Sequence, residues 1–298
     1  MGFKDELNQL AHGVYRFEEP MKKHTALGVG GNAFCFAEVD SLYGLNLLIS
    51  LAKRYRIKYK VIGGGTNLLV SDKGFNGLII SSTKLSDVFF KKDQVRAMAG
   101  ASLNKLIKFA LDNKLTGLES LWGIPATVGG AVVMNAGAFG HNISDYITTV
   151  ETLHNGKIKV YDKSDCKFAY RKSRFLGKKE IVVSACFKLP KRNEGNLSLS
   201  QLKHYSDLRK ATQPIGKSCG SVFKNPKGFS AGALIEKAGL KGFSIGGAKI
   251  SQLHGNFIIA DAKATATDVY LLINHSKQEV WKKFGVQLQE EVECVGEF

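Results

Sequence analysis

Residues 117–140 read GLESLWGIPATVGGAVVMNAGAFG, from Gly117 to Gly140. Six glycines and one charged side chain, Glu119, fall in this stretch, although 23% of the whole chain is charged. Glycine lets the main chain take positive φ and lets another group approach without a Cβ in the way, at an entropic cost that a plain turn incurs only once. A run of such positions kept free of charge predicts a backbone cradle for something large.

Upstream of this segment, Leu42, Leu45, Leu48, Ile49 and Ala52 follow helical spacing, and the strand-like Lys60-Val61-Ile62 runs straight into Gly63-Gly64-Gly65. A second unit follows, with a strand over 95–99 and Ser102 as N-cap of a helix carrying Leu103, Leu106, Ile107, Ala110 and Leu111 on one face. Downstream the pattern turns to strands, over 147–153 and 157–161, joined across Asn155-Gly156 as a hairpin, and over 181–187. Residues 189–200 are polar and contain Pro and Gly, which places a domain boundary there. Beyond it the spacing predicts a helix over 231–237, a strand over 257–260, and a helix over 267–284 that buries Val269, Leu272, Ile273 and Val280. The closing EVECV alternates, which predicts a strand with Glu291 and Glu293 on one face and Val292 and Cys294 on the other. There is no internal repeat of about 20–50 residues and no low-complexity tract.

A chain of 298 residues with 44% hydrophobic content has room for two domains or one large one. No apolar run approaches the roughly 20 residues of a membrane helix, and the opening MGFKDELNQL has acids where a signal peptide has its apolar core, so the expected location is cytoplasmic. Cys35, Cys166, Cys186, Cys219 and Cys294 are odd in number, widely spread and without histidines at ligand spacing, which predicts reduced, mostly buried thiols and no metal site. The net charge of +16 admits nucleic acid, an anionic membrane face or small anionic ligands as partners. Its basic residues are scattered (Lys53, Arg54, Arg56, Lys58, Lys60, then Lys178, Lys179, then Lys282, Lys283) rather than collected in one arm, and no nucleic-acid motif runs through them, which argues against nucleic acid.

Two phosphate-binding fingerprints fail. From Gly63 the sixth place of a G-x-G-x-x-G motif is Leu68, and from Gly28 it is Ala33. Gly216-Lys217-Ser218 imitates the end of a Walker A loop, but its leading position is Ala211 and Pro214 interrupts it. What survives is Gly63-Gly64-Gly65-Thr66-Asn67 and Gly123-Ile124-Pro125-Ala126-Thr127-Val128-Gly129-Gly130, whose consecutive amides can form nests for phosphate oxygens. Either loop alone reads first as a tight turn. Together they favour a dinucleotide lying extended across both.

The stretches VIGGGTNLLVSD (61–72) and GIPATVGGAVVMNAGAFG (123–140) resemble the flavin-binding loops of the vanillyl-alcohol-oxidase-like, PCMH-type FAD domain. YRKSRF (170–175), GSVFKNP (220–226), GGA (246–248) and LQEEV (288–292) are similar, in order, to the UDP-N-acetylenolpyruvoylglucosamine reductase family in its shorter form. The resemblance implies an α+β chain. Residues 1–195 would be a two-subdomain PCMH-type FAD-binding domain, divided at about 80, and 200–298 a smaller α+β substrate-binding domain whose last strand returns to the active site. It implies non-covalent FAD along Gly63, Gly64, Gly65, Thr66, Asn67 and Leu68, and along Gly123, Ile124, Pro125, Ala126, Thr127, Gly129, Gly130, Asn135, Gly137 and Ala138. NADPH is the implied reductant, the enolpyruvyl ether of UDP-N-acetylglucosamine the substrate, and UDP-N-acetylmuramate for peptidoglycan the product. A monomer is favoured, with neither nucleic acid nor membrane as partner.

The chemistry sets demands on three residues that the resemblance makes catalytic. Hydride adds to the terminal alkene carbon, so negative charge spreads from the neighbouring carbon into its carboxylate and needs donors, then a proton. Ser221 is the implied proton donor, with Lys217 or Lys224 stabilising its alkoxide. A Gly-Ser turn satisfying its own backbone is the plain alternative. Arg171 is the implied carboxylate-binding arginine, with Lys172 and Arg174 beside it as solvated charges. Glu291 is the implied carboxylate that stabilises the enolic intermediate or positions its proton, a role that suits a raised pKa. Tyr170, Lys217, Lys224, Asn225, Lys249 and His254 lie in segments implied to surround the substrate, although a lone histidine is more often structural. The longer form's lid tyrosine has no counterpart carried over. A different FAD oxidoreductase on the same domain, such as an alcohol or hydroxy-acid oxidase, would keep the glycine loops and lose the ordered set of Arg171, Ser221 and Glu291.

Overall fold

A computed structural model describes residues 2–10, 13–191 and 198–298. Helix α1 (Phe3–Gln9) leads into strands β1 (Val14–Pro20) and β2 (Asn32–Glu38). Ser41 accepts from the Gly44 amide at 3.1 Å and starts α2 (Leu42–Arg54), which buries the expected Leu45, Leu48, Ile49 and Ala52. The first glycine loop follows β3 (Tyr59–Ile62) and precedes β4 (Leu68–Val70) in sequence, β5 (Phe75–Ser81) pairs in parallel with β3, and β6 (Val88–Lys91) pairs with β7 (Gln94–Met98). Ser102 caps α3 (Leu103–Asp112) through the Lys105 amide at 3.1 Å.

The glycine segment departs from the bare cradle expected of it. It folds into α4 (Val128–Met134), followed by the short ribbon of β8 (Gly137–Ala138) and β9 (His141–Asn142). Two glycines lower helix propensity by about 1 kcal/mol each. The helix forms nonetheless because Thr127 caps it and Val128, Ala131 and Val132 are buried. The one charge, Glu119, turns inward: it is 5% exposed and accepts from Thr116 Oγ1 at 2.5 Å and the Gly117 amide at 2.7 Å. It ties a turn.

Strands β10 (Ile147–His154) and β11 (Lys157–Asp162) form the expected hairpin, with Asn155 and Gly156 both at positive φ, 47° and 77°. This is the requirement of a two-residue primed turn. Strand β12 (Ile181–Phe187) is followed by α5 (Ser198–Thr212), which the polar composition hid, then α6 (Ala231–Lys237), β13 (Ser244–Ile245), β14 (Ala248–Ile250), β15 (Ile258–Ala260), α7 (Ala266–Phe284) and β16 (Glu293–Val295). Helix α7 opens with a Thr265–Asp268 capping box and buries Val269, Leu272, Ile273 and Val280 as expected. The final alternation is shorter than predicted. β16 begins only at Glu293, Cys294 is exposed, and the buried residues are Val292 and Val295, because Glu291 and Val292 both turn their amides to one carbonyl, that of Val222.

The sheets run β1-β2-β5-β3, β11-β10-β12-β7-β6 and β13-β14-β15, with β16 and β4 as a separate pair. The chain divides into two compact units. The first comprises Met1–Arg16, Phe36–Gly64 and Gly77–Leu208, and the second Phe17–Cys35, Gly65–Asn76 and Arg209–Phe298. The composition shift places its boundary at 189–200, of which residues 192–197 lie outside the described part. The units are interleaved in sequence because β4 pairs in parallel with β16, Leu68 opposite Glu293 and Val70 opposite Val295. The core of the first unit gathers Val95, Ala97, Leu103, Ile107, Val128, Val132, Val150 and Phe187. That of the second gathers Leu27, Leu69, Val222, Phe223, Leu234, Ile258, Leu272 and Val292.

One polar row crosses the five-stranded sheet. Ser184 donates to Glu151 at 3.0 Å and accepts from Arg96 Nε at 3.2 Å, Arg96 also pairs directly with Glu151, and Lys91 reaches the same carboxylate at 3.3 Å. Glu151 is only 7% exposed, so this carboxylate depends on its partners. No helix among the described residues is long and apolar enough to cross a membrane.

Candidate active site

The first unit brings the two glycine loops together at one point. A Cβ on Gly63 would lie 3.2 Å from Cβ and Cγ2 of Thr127 and closer still to its hydroxyl. Thr127 itself caps α4, accepting from the Gly130 amide at 3.4 Å, and the Gly129 amide donates to Ala99 O at 2.8 Å. Gly123 takes φ 83° and donates to Asn104 Oδ1 at 2.9 Å. Gly64, Gly123, Pro125 and Gly130 are exposed, Ile124 and Ala126 half-buried.

Gly130 bears on the fit of a cofactor. Its φ is not in the left-handed region, and a Cβ there would meet only Thr127 Oγ1 at 3.5 Å, an ordinary contact. Neither conformation nor packing within the protein calls for glycine at this helix position. A bare Cα here suits the close approach of a group bound from outside, and the exposed loop residues carry no charge, as an extended dinucleotide held by main-chain amides would have it.

Asn135 and Arg171 form a knot beside this wall. Asn135 ends α4 at φ 45° and is buried. Its Nδ2 donates to Ala169 O at 3.0 Å and its Oδ1 accepts from the Ser144 amide at 3.4 Å. Ala169 and Lys172 exchange amide hydrogen bonds of 3.0 and 3.1 Å, which leaves Tyr170 and Arg171 at the tip of a tight turn. Arg171 takes φ 49°, and its Nη2 donates to Gly137 O at 2.9 Å. Ser173 anchors the far side of the turn by donating to Val133 O at 2.7 Å. Asn135 is an ordinary left-handed helix C-cap, whereas Arg171 holds a conformation uncommon for a residue other than glycine. Tyr170 is exposed, with the Arg171 guanidinium 5.2 Å from its ring centre.

The second unit joins Ser221 to Glu291. Val222, the residue after Ser221, accepts from the amides of Glu291 at 2.7 Å and Val292 at 3.3 Å, and Lys224 donates to Gln289 O at 2.9 Å. Ser221 and Glu291 are both half-buried. Asn67 adds a clamp, its Nδ2 donating to Glu291 O at 2.9 Å while its own carbonyl accepts from Glu293. The side chain of Asn67 therefore ties a catalytic candidate, and Leu68 turns into the core of β4. Gly65, at φ 64°, packs against the backbone of His24, and Thr66 beside it is half-buried.

The substrate-side residues are distributed through the same unit. Lys217 accepts from the Ala260 amide at 3.0 Å and lays its side chain along Gly28, where a Cβ would sit 2.7 Å from Cδ. Asn225 Oδ1 accepts from the Ala231 amide at 3.0 Å, at the start of α6. Lys249 is exposed on β14. His254 has its Nδ1 engaged by the Asn256 amide at 3.1 Å, and burial, then the charge of Lys241, holds its pKa below the ordinary value. Cys219, two residues before Ser221, is buried, and burial pushes its thiol up to about 12, with the charge of Glu291 adding to the rise. Among the described residues no group of three or more His, Cys, Asp or Glu could hold a metal.

A residue that the sequence did not single out is Asn256. It is 4% exposed, and its carboxamide pairs with both the amide and the carbonyl of Phe223, at 2.9 and 2.8 Å. Its one sequence signal is a polar residue entering an otherwise apolar strand.

Comparison with known proteins places the chain in a family. Residues 35–160 match the FAD binding domain family, and residues 211–295 match the C-terminal domain of UDP-N-acetylenolpyruvoylglucosamine reductase. The chain is 42% identical over 296 residues to the UDP-N-acetylenolpyruvoylglucosamine reductase of Caldanaerobacter subterraneus, covering 98% of each. It is 40% identical to that of Listeria innocua, covering 97% of each. The crystal structure of the Thermus caldophilus reductase superposes with a TM-score of 0.81 at 36% identity, covering 95% of this chain and 99% of that one. With full-length relatives matched end to end and a flavin domain and a reductase-specific domain each on its own stretch, the chain belongs to the UDP-N-acetylenolpyruvoylglucosamine reductase family and is an FAD-dependent oxidoreductase.

Proposed function

We propose that the protein uses NADPH to reduce the enolpyruvyl ether of UDP-N-acetylglucosamine to UDP-N-acetylmuramate, in the cytoplasm, as a monomer. Residues 1–195 serve the flavin and 200–298 the substrate, an assignment supported by the stretches that the two family matches occupy. The observation that carries the catalytic reading is the 2.7 Å hydrogen bond from Glu291 to Val222, which makes the backbones at Ser221 and Glu291 one piece.

The loops at 63–68 and 123–130 would hold FAD, which when bound would supply, from NADPH, the hydride that the terminal alkene carbon accepts. Arg171 holds the substrate carboxylate, into which negative charge spreads as that bond forms. Ser221 Oγ then gives its proton to the carbon bearing the carboxylate, and Lys217 or Lys224 stabilises the alkoxide left behind. Glu291 acts on the enolic intermediate, as an acid or through a shared donor. Tyr170, Asn225, Lys249 and His254 border the substrate. The net charge of +16 draws both polyanions, NADPH and the UDP-sugar, which take turns in one site.

The test is anaerobic. FAD-loaded protein bleached by NADPH regains its colour on addition of the UDP-enolpyruvyl sugar and not with simple alcohols or hydroxy acids. Ser221→Ala keeps its FAD and its fast reduction and loses reoxidation by about 10²-fold or more. Normal reoxidation in that variant would remove Ser221 from the mechanism, and a ternary complex with NADPH and the sugar nucleotide would remove the shared site.

A further inference from the structure

We propose that Asn256 is a positioning residue for the substrate half of the reaction, holding in register the strand that carries Ser221 and Lys224 and, through Val222, the backbone of Glu291. The inference rests on the roles given to Ser221 and Glu291 above.

Residues 221–224 are extended but belong to no regular sheet. They are bridged on one edge at Ser221 to Phe257 and on the other at Phe223 to Glu290. On the second edge the partners are backbone, Glu291 and Val292 to Val222 O and Lys224 to Gln289 O. On the first edge a side chain takes the place of a strand residue. Asn256 Oδ1 accepts from the Phe223 amide at 2.9 Å, Nδ2 donates to the Phe223 carbonyl at 2.8 Å, and the Asn256 main-chain carbonyl accepts from the Val222 amide at 2.9 Å. A carboxamide is the short side chain that can do this, since it offers one acceptor and one donor in the plane of the peptide it faces.

The clamp is itself fixed. The Asn256 amide donates to His254 Nδ1 at 3.1 Å, and the His254 ring meets Phe257 edge-on at 4.8 Å. His254, Asn256 and Phe257 are thus one turn whose inward product is the alignment of Phe223. Phe223 is 2% exposed, so its amide and carbonyl have no ready replacement in water. Asn256 touches no reacting atom. It acts on the reaction through the position of Ser221, where a displacement of about 1 Å is enough to slow chemistry by about 10²-fold.

The experiment compares Asn256→Ala, Asn256→Asp, Ser221→Ala and the double variant Ser221→Ala/Asn256→Ala, each as FAD-loaded protein, with two readouts. The first is the pair of anaerobic half-reactions. Asn256→Ala is expected to be reduced by NADPH at close to the wild-type rate and reoxidised by the UDP-enolpyruvyl sugar about 10²-fold more slowly. The double variant is expected to be no slower than Ser221→Ala alone, the sign of two residues acting through one step. The second readout is amide hydrogen exchange in the absence of substrate. The Phe223 amide should lose protection in Asn256→Ala and keep it in Asn256→Asp, which retains the acceptor and loses the donor. Unchanged reoxidation in Asn256→Ala, multiplied losses in the double variant, or a Phe223 amide still protected in Asn256→Ala would each overturn the proposal. If Asn256→Ala gives no FAD-loaded protein, Asn256→Asp decides it, slow reoxidation with fast reduction supporting the proposal and normal reoxidation overturning it. Failure of the underlying reading has a different signature: Ser221→Ala would then reoxidise normally by itself.

Discussion

Thr127 fills the space that a β-carbon on Gly63 would need. Two loops 60 residues apart in sequence thereby meet without a gap, and the meeting depends on one missing methyl group. Gly63→Ala should force Thr127 off its cap on the Gly130 amide, with overpacking of about 1–3 kcal/mol and poor retention of FAD. Thermal unfolding and the flavin-to-protein absorbance ratio after gel filtration check both.

Gly130→Ala should separate folding from cofactor binding. A Cβ there has room, so helix propensity raises stability by about 0.5–1 kcal/mol. The methyl group would stand where a ligand approaches, and FAD should bind at least about tenfold more weakly. Fluorescence titration of the apoprotein with FAD measures this, and unaltered affinity would take residue 130 out of the cofactor wall.

The charged row on the five-stranded sheet should weigh heavily on stability. Glu151→Ala leaves Arg96 and Lys91 without their shared carboxylate, and removing one partner of a buried pair typically loses about 3–5 kcal/mol. Glu151→Gln, able to keep the Ser184 contact, should lose less. Denaturant unfolding followed by far-UV dichroism compares them.

His254 sets a pH dependence with a definite sign. Its native pKa is depressed by burial and then by Lys241, so the folded protein binds this proton less readily than the unfolded chain. The stability it contributes is complete above the unfolded value of about 6.5 and is lost as pH falls through the lower native value. The stability of the wild type minus that of His254→Gln should therefore rise with pH up to about 7 and then level off. A difference independent of pH would mean that the imidazole is as easily protonated folded as unfolded.

The elements legible in the sequence are those decided by near neighbours. Ser102 caps its own helix, Asn155-Gly156 turns its own hairpin, and α7 shows its buried stripe within 19 residues. Helix α4 was hidden because glycine lowers propensity locally, while the burial of Val128 and Val132 that offsets it is tertiary. The parallel pairing of Leu68 with Glu293 leaves no local trace, and neither does the pairing of Asn256 with Phe223. Of the candidate site, the glycine loops were proposed from physics. Arg171, Ser221 and Glu291 entered as candidates only through family resemblance, since a turn arginine, a loop serine and a terminal glutamate have no spacing in common.

Strand β4, which carries the chain out of the first glycine loop, has β16 as its hydrogen-bonded neighbour. Ribosomes make the loop more than 200 residues before its partner. During synthesis the nascent chain therefore holds Leu68, Leu69 and Val70 as an apolar edge with no mate, a span in which chaperones have something to bind. The pairing of β4 can be completed only after translation has passed Val295.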